Sequence, residues 1–199
     1  MLIFSIFTGI KINLMTFKNA ITAVVLIITA SACGQNKPNE VNLPKEDLFT
    51  VETVVDGINN PWGMVFLPDG SMLVSDKEGE LIKVSNGVKT VIENAPKVYV
   101  RGQGGLLDLE LDPNYEQNGW IYISYASEEG EEKGGHTAIM RAKLKGNSLV
   151  ENKLLYKAGP NTTKGQHFGS RLEFDQKGYL YFTIGERGDR DVNPQDINR

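Results

Sequence analysis

The sequence predicts a nearly all-β fold, and within that class a β-propeller. Three observations carry this. From Leu48 onward no stretch keeps a helical period. Short alternating or β-branched runs recur instead, broken by Asp-Gly, Asn-Gly and Lys-Gly. Three of these runs repeat one plan, a strand, a turn built on Asp or Pro, then a strand ending in Ser or Thr. The copies are Gly63 to Ser75, Leu107 to Asn114 resuming at Gly119 to Ser124, and Ser170 to Thr183.

Aligning Phe66, Leu111 and Phe174 spaces the copies by 45 and 63 residues, and a period of roughly 40–45 residues is what four-stranded propeller blades require. The loop from Ser127 to Gly135 accounts for the longer interval. Its Glu128, Glu129, Glu131 and Glu132 read as a solvated acidic face in preference to a metal site. Residues 48–199 amount to about three blades at this period, whereas a propeller closes with four to eight. The expectation is the N-terminal part of a longer protein.

The first residues are not expected to join that fold. Lys18 precedes the apolar run from Ala20 to Thr29, and Ala30-Ser31-Ala32-Cys33-Gly34 follows. A basic n-region, a short apolar h-region and a small-residue cleavage site make 1–33 a signal peptide, with Met15 the expected true start. The run is too short for a span of about 20 residues. Cys33 resembles the lipidation cysteine of bacterial lipoproteins, although Ala30 stands where leucine is more usual; the other reading is plain secretion. Residues 34–47, polar with Pro38 and Pro44, form a flexible tether. The expected location is the periplasm or cell surface, with the membrane reached only through the lipid.

Strands are then expected at 49–55, 63–66, 71–74, 81–84, 90–92, 107–111, 120–125, 137–144, 154–156, 171–174 and 179–184. Trp62, Trp120, Tyr122, Tyr179 and Tyr181 fall on or beside them as blade core or packing between blades. Cys33 is the only cysteine, so disulfides cannot staple the domain. The composition is 40% hydrophobic and 23% charged, with a net charge of −4. Without a basic excess, no nucleic-acid partner is expected. No Cys/His spacing suggests zinc, and no Asp-x-Asp-x-Asp-Gly loop suggests calcium.

The chemistry concentrates in one stretch. Lys164-Gly165-Gln166-His167-Phe168-Gly169-Ser170-Arg171 places one of two histidines in a glycine-rich turn. The hairpin after it ends in Thr183-Ile184-Gly185-Glu186-Arg187-Gly188-Asp189-Arg190-Asp191. A neutral imidazole suits proton abstraction near neutral pH, and a carboxylate within reach fixes its tautomer. His136, after Gly134-Gly135, reads as exposed. Asp189, Arg190 and Asp191 either face a substrate or form a structural network.

Gly165 to Leu172 and Thr183 to Arg190, together with Gly102-Gln103-Gly104-Gly105-Leu106-Leu107-Asp108 and Leu111-Asp112-Pro113-Asn114-Tyr115, resemble the soluble quinoprotein sugar dehydrogenases, the glucose/sorbosone dehydrogenase family. The similarity runs from about Pro61 to Arg199. It implies a six-bladed propeller that oxidises aldoses to lactones by hydride transfer to pyrroloquinoline quinone (PQQ), assisted by Ca2+. By resemblance His167 is the general base and Glu186 its orienting carboxylate, standing where the family usually has aspartate. Gln103 and Gln166 are quinone-side residues. The ligands for Ca2+ and the cations that hold the quinone carboxylates are expected beyond residue 199, so the chain alone is expected to be inactive. The electron acceptor is left open. Two other readings stand beside this one: a non-catalytic propeller that binds carbohydrate or protein, and a lactonase-like propeller lacking a visible metal-ligand set.

Overall fold

The structure, a computed structural model, describes residues 50–196. The expected signal peptide with Met15 and Cys33, and the tether at 34–47, lie outside the described residues. No helix among the described residues is long and apolar enough to cross a membrane.

The described residues form ten strands: β1 (Pro61–Phe66), β2 (Met72–Asp76), β3 (Leu81–Ser85), β4 (Val88–Ile92), β5 (Leu106–Leu111), β6 (Trp120–Ser127), β7 (His136–Lys145), β8 (Ser148–Lys157), β9 (Gly169–Phe174) and β10 (Leu180–Ile184). Each pairs antiparallel with its sequence neighbour, giving sheets β1-β2-β3-β4 and β5-β6-β7-β8, then the pair β9-β10. The chain thus carries two four-stranded blades and, within the described residues, two strands of a third. The only α-helical turn among those residues is α1 (Tyr115–Asn118), stopped by Gly119 at φ 69°, a conformation that glycine adopts without steric cost.

The repeat has a common geometry. In each sheet the first strand carries one extra residue opposite the second: between Pro61 and Met64 against Asp76 and Val74, between Leu106 and Leu109 against Tyr125 and Ile123, and between Gly169 and Leu172 against Ile184 and Phe182. Such a bulge leaves one residue off the ladder and increases the local twist. The main core lies between the first two sheets, where Leu73, Leu81 and Ile92 meet Leu106, Leu109, Ile121 and Ile123. A smaller cluster joins the second sheet to the third, with Tyr122 and Ile139 against Leu172 and Phe174. The rings of Tyr122 and Phe174 meet edge to face at 5.0 Å, a favoured aromatic arrangement.

Three expectations are corrected. The run at 49–55 forms no strand over its described part, 50–55. Instead only Val55, with Ile58, packs on Met72 and Val74 across the face of the first sheet turned away from the second, while Val51 and Val54 stay exposed. Second, His136 is buried at 2% exposure, not exposed. It opens β7 beneath the acidic loop, and its Nδ1 lies 2.5 Å from Asn161 Oδ1. Asn161 in turn donates from Nδ2 to the carbonyl of Glu132 at 2.8 Å. Third, among the aromatic residues expected in cores, Tyr122 is buried but Trp62, Tyr179 and Tyr181 are exposed, Tyr179 in the turn before β10. Trp120 is half-buried under the guanidinium of Arg141, 4.1 Å from its ring centre.

Candidate active site

The glycine-rich turn enters β9, and the segment after β10 folds back beneath it. His167 adopts φ 56°, in the left-handed region, where a non-glycine residue needs support from its surroundings. Three contacts supply it. The His167 N–H donates to Gln103 Oε1 at 2.7 Å. Its carbonyl accepts from the Arg187 N–H at 3.0 Å. Its ring meets Glu186. Gly185 is what lets this happen, because a Cβ there would collide with the His167 carbonyl. Gln103 is itself placed by its N–H, which donates to the Gly165 carbonyl at 2.9 Å.

The His167 Nδ1 is hydrogen-bonded to Glu186 Oε1. An ionised carboxylate only accepts, so Nδ1 carries the proton and Nε2 presents its lone pair. The imidazole is half-exposed, at 50% of its side-chain surface, while the Glu186 side chain is at 20%. The bond from His167 is the main reason the Glu186 carboxyl lies below the ordinary glutamate value, with burial opposing it. Glu186 Oε2 is buried and has no partner among the described residues. The added methylene of glutamate therefore does not stop the carboxylate from reaching the ring.

Gln166 is exposed, with its amide nitrogen beside the Cα of Gly188. Lys164 Nζ donates to the Gly188 carbonyl, closing the strap over the loop. Below them a cleft of about 400 Å³ is lined by Ala158, Glu186, Arg187 and Asn193. Asn193 Nδ2 donates to the Glu186 carbonyl at 2.8 Å. The sequence reading missed Arg187. Its side chain is 2% exposed, Nη1 donates to the Gly185 carbonyl at 2.8 Å, and Nε and Nη2 find no partner among the described residues. Burial lowers its pKa from the usual arginine value. Only its place in Glu186-Arg187-Gly188 could have flagged it. Asp189, Arg190 and Asp191 form no ion pair with one another among the described residues.

The arrangement is a half-exposed imidazole with a free Nε2, a carboxylate behind it and two exposed carboxamides flanking it. It can take a proton from a hydroxyl group and stabilise the resulting charge. The two carboxamides carry NH2 groups able to donate hydrogen bonds to a ligand's oxygens. No group of three or more His, Cys, Asp or Glu residues able to hold a metal ion occurs among the described residues.

Known proteins resemble this chain over most of its described length. The Glucose / Sorbosone dehydrogenase family model matches residues 58–199. Aldose sugar dehydrogenase YliI of Escherichia coli (strain K12) is 35% identical over 154 residues, covering 75% of this chain and 41% of that protein. The solved apo-form of the soluble aldose sugar dehydrogenase from Escherichia coli superposes with TM-score 0.70 at 33% identity, over 74% of this chain and 44% of that one. The PQQ-bound aldose sugar dehydrogenase from Streptomyces coelicolor superposes with TM-score 0.60 at 30% identity, over 71% and 42%. The chain spans about two fifths of the length of these relatives.

Proposed function

The chain belongs to the glucose/sorbosone dehydrogenase family, and from that premise we propose that it carries the proton-abstracting part of a PQQ-dependent aldose dehydrogenase. The observation that supports this most is the His167–Glu186 pair. PQQ, when bound, supplies the two-electron acceptor; this chain supplies the base. His167 Nε2 takes the proton of the anomeric hydroxyl while that carbon gives up its hydride, leaving the lactone. Glu186 keeps Nδ1 protonated beforehand and stabilises the imidazolium afterwards, without itself becoming protonated. Gln103 fixes the strained His167 backbone through Oε1, which leaves its NH2 group, with that of Gln166, to hold quinone oxygens.

Ca2+ and the remaining cofactor contacts are assigned to other parts of the full ring, and the 199-residue chain by itself is expected to bind quinone weakly and to oxidise no sugar. Export with lipidation at Cys33 is part of the proposal, supported by the order of the basic, apolar and small-residue segments. Labelling with a palmitate analogue that vanishes in Cys33→Ala would support it, and labelling that persists would exclude it. The catalytic proposal is tested by dye-linked oxidation of an aldose panel by the full-length protein, with and without PQQ and Ca2+. Activity that requires the quinone and collapses in His167→Ala is expected; quinone-independent activity, or activity unaltered in His167→Ala, would refute it.

A further inference from the structure

Glu186 follows β10 outside any described strand, so no ladder fixes the backbone from which its carboxylate reaches His167. A peptide unit is planar, and the chain turns only at the Cα between two such units. Fixing both units that flank the Glu186 Cα therefore fixes the direction in which its side chain leaves the backbone. Two buried side chains do this. Arg187 Nη1 donates to the Gly185 carbonyl, in the unit before that Cα, at 2.8 Å. Asn193 Nδ2 donates to the Glu186 carbonyl, in the unit after it, also at 2.8 Å.

The two holders are themselves held. The Arg187 N–H donates to the His167 carbonyl at 3.0 Å, so the residue that pins Glu186 is tied to the other member of the pair. The Asn193 N–H donates to the Asp189 carbonyl at 2.9 Å, and the Asp189 N–H to the Glu186 carbonyl at 3.0 Å. This closes a circuit from Glu186 to Asn193 and back. Stability does not account for Arg187. Its backbone stands at φ 53°, in the left-handed region, and its Nε and Nη2 have no partner among the described residues. Burial lowers its pKa by more than Tyr156 and Glu186 raise it. Backbone strain of this kind costs energy, persists only where the surroundings over-determine it, and clusters at functional sites.

We propose that Arg187 and Asn193 are positioning residues for the proton-abstracting pair, acting through Glu186. With both flanking peptide units fixed, the carboxylate stays on His167 Nδ1, and Nε2 keeps the lone pair that takes the proton. Without them Glu186 turns away, and the imidazole reverts to the Nε2–H tautomer that it prefers free in water. That tautomer has no lone pair at Nε2. A misplacement of about 1 Å caused by a residue remote from the chemistry can cost on the order of 10²-fold in rate. The inference rests on the catalytic reading of the His167–Glu186 pair, but the tautomer can be measured without turnover.

The test uses full-length protein labelled with 15N-histidine, at a pH where imidazoles are neutral, with the His167 signals assigned by their loss in His167→Ala. The nitrogen shifts distinguish a protonated ring nitrogen from one that bears a lone pair. Wild type should show Nδ1 protonated. Arg187→Met and Asn193→Ala should each move His167 toward the Nε2–H form, and Arg187→Lys, which keeps a donor for the Gly185 carbonyl, should restore part of the wild-type signal. In dye-linked assays with PQQ and Ca2+ the first two variants should lower kcat by up to about 10²-fold with little change in KM, and Arg187→Lys should recover part of that loss. Asn193→Ala leaves Arg187 in place and decides the question alone should Arg187→Met fail to fold. A His167 tautomer unchanged in both variants overturns the proposal, as does a loss of Tm that is their only effect. A tautomer shift in a protein whose wild type oxidises no aldose would support the positioning and strike the catalytic reading, so the two failures are told apart.

Discussion

Glu186 meets His167 through one oxygen, and its charge also feels the backbone amides of Gly188 and Asp189 and acts on Arg187. The hydrogen bond from His167 holds the carboxyl below its ordinary 4.5, against a weaker upward push from burial. A carboxyl lowered in the folded state contributes stability that is present above its unfolded value and is lost as pH falls through the folded one. The part of the Tm difference between the wild-type chain and Glu186→Gln that comes from this carboxyl should therefore shrink as the pH falls below 4.5. A difference that stays constant down to pH 2 would separate the carboxylate from the imidazole. In the full-length protein the same substitution should lower kcat/KM for an aldose, and His167→Ala should lower it by about 10² to 10⁴-fold. Arg187 makes the opposite case. Its two unpartnered nitrogens mean that burial offsets much of what the charge contributes, so Arg187→Met should change stability by no more than about 1 kcal/mol in urea unfolding despite 2% exposure.

At the scale of the elements, the N–H of each bulge residue, Gly63, Asp108 and Arg171, donates to a hydroxyl on the next strand, Ser75, Ser124 and Thr183. Ser75 and Ser124 donate onward to the carbonyls of Leu107 and Ser170. Ser75→Ala or Ser124→Ala would strand a buried N–H on one sheet and a carbonyl on the next, at a cost of about 1–3 kcal/mol in urea unfolding. A loss below 0.5 kcal/mol would show that water replaces the hydroxyl, by about the margin that separates neutral surface changes from specific ones. Asp108 adds a second tie, since its buried carboxylate accepts from the Leu172 N–H at 2.8 Å and from Arg171 Nη1 at 3.0 Å. Much of this order was legible beforehand. The strand-turn-strand copies, their spacing and the terminal hydroxyl residues are local patterns, and the ten strands fall on ten of the eleven expected runs. The eleventh, at 49–55, shows the limit. Its alternation is real, but whether such a run pairs in a ladder depends on a partner strand that local sequence does not name, and here only Val55 rests on Met72 and Val74 while Val51 and Val54 stay exposed. His136 failed as a reading for a related reason: neighbouring glycines and glutamates suggest solvent, whereas its burial comes from Asn161, distant in sequence.

For the whole molecule, the His167–Glu186 pair is assembled from the turn before β9 and the loop after β10, and Gln103 reaches it from the turn before β5. The residue identities of that site were legible because they sit in two compact motifs. The role of Gln103 as a backbone support was not, since a hydrogen bond from the His167 N–H to a side chain 64 residues away leaves no local signal. The chain matches only 41% of the Escherichia coli aldose sugar dehydrogenase, and the remaining cofactor contacts are assigned to the rest of a ring. The 199-residue chain should thus show no PQQ-dependent sugar oxidation, and a measurable turnover by it would contradict that division of labour. The most direct test of the central claim is the dye-linked aldose oxidation rate of the full-length protein reconstituted with PQQ and Ca2+, compared between wild type and His167→Ala. A PQQ-dependent rate that falls by about 10² to 10⁴-fold in the variant, with quinone binding retained, is what the His167–Glu186 pair predicts. A rate equal to wild type, or a wild-type protein that neither binds the quinone nor oxidises any aldose, would contradict it.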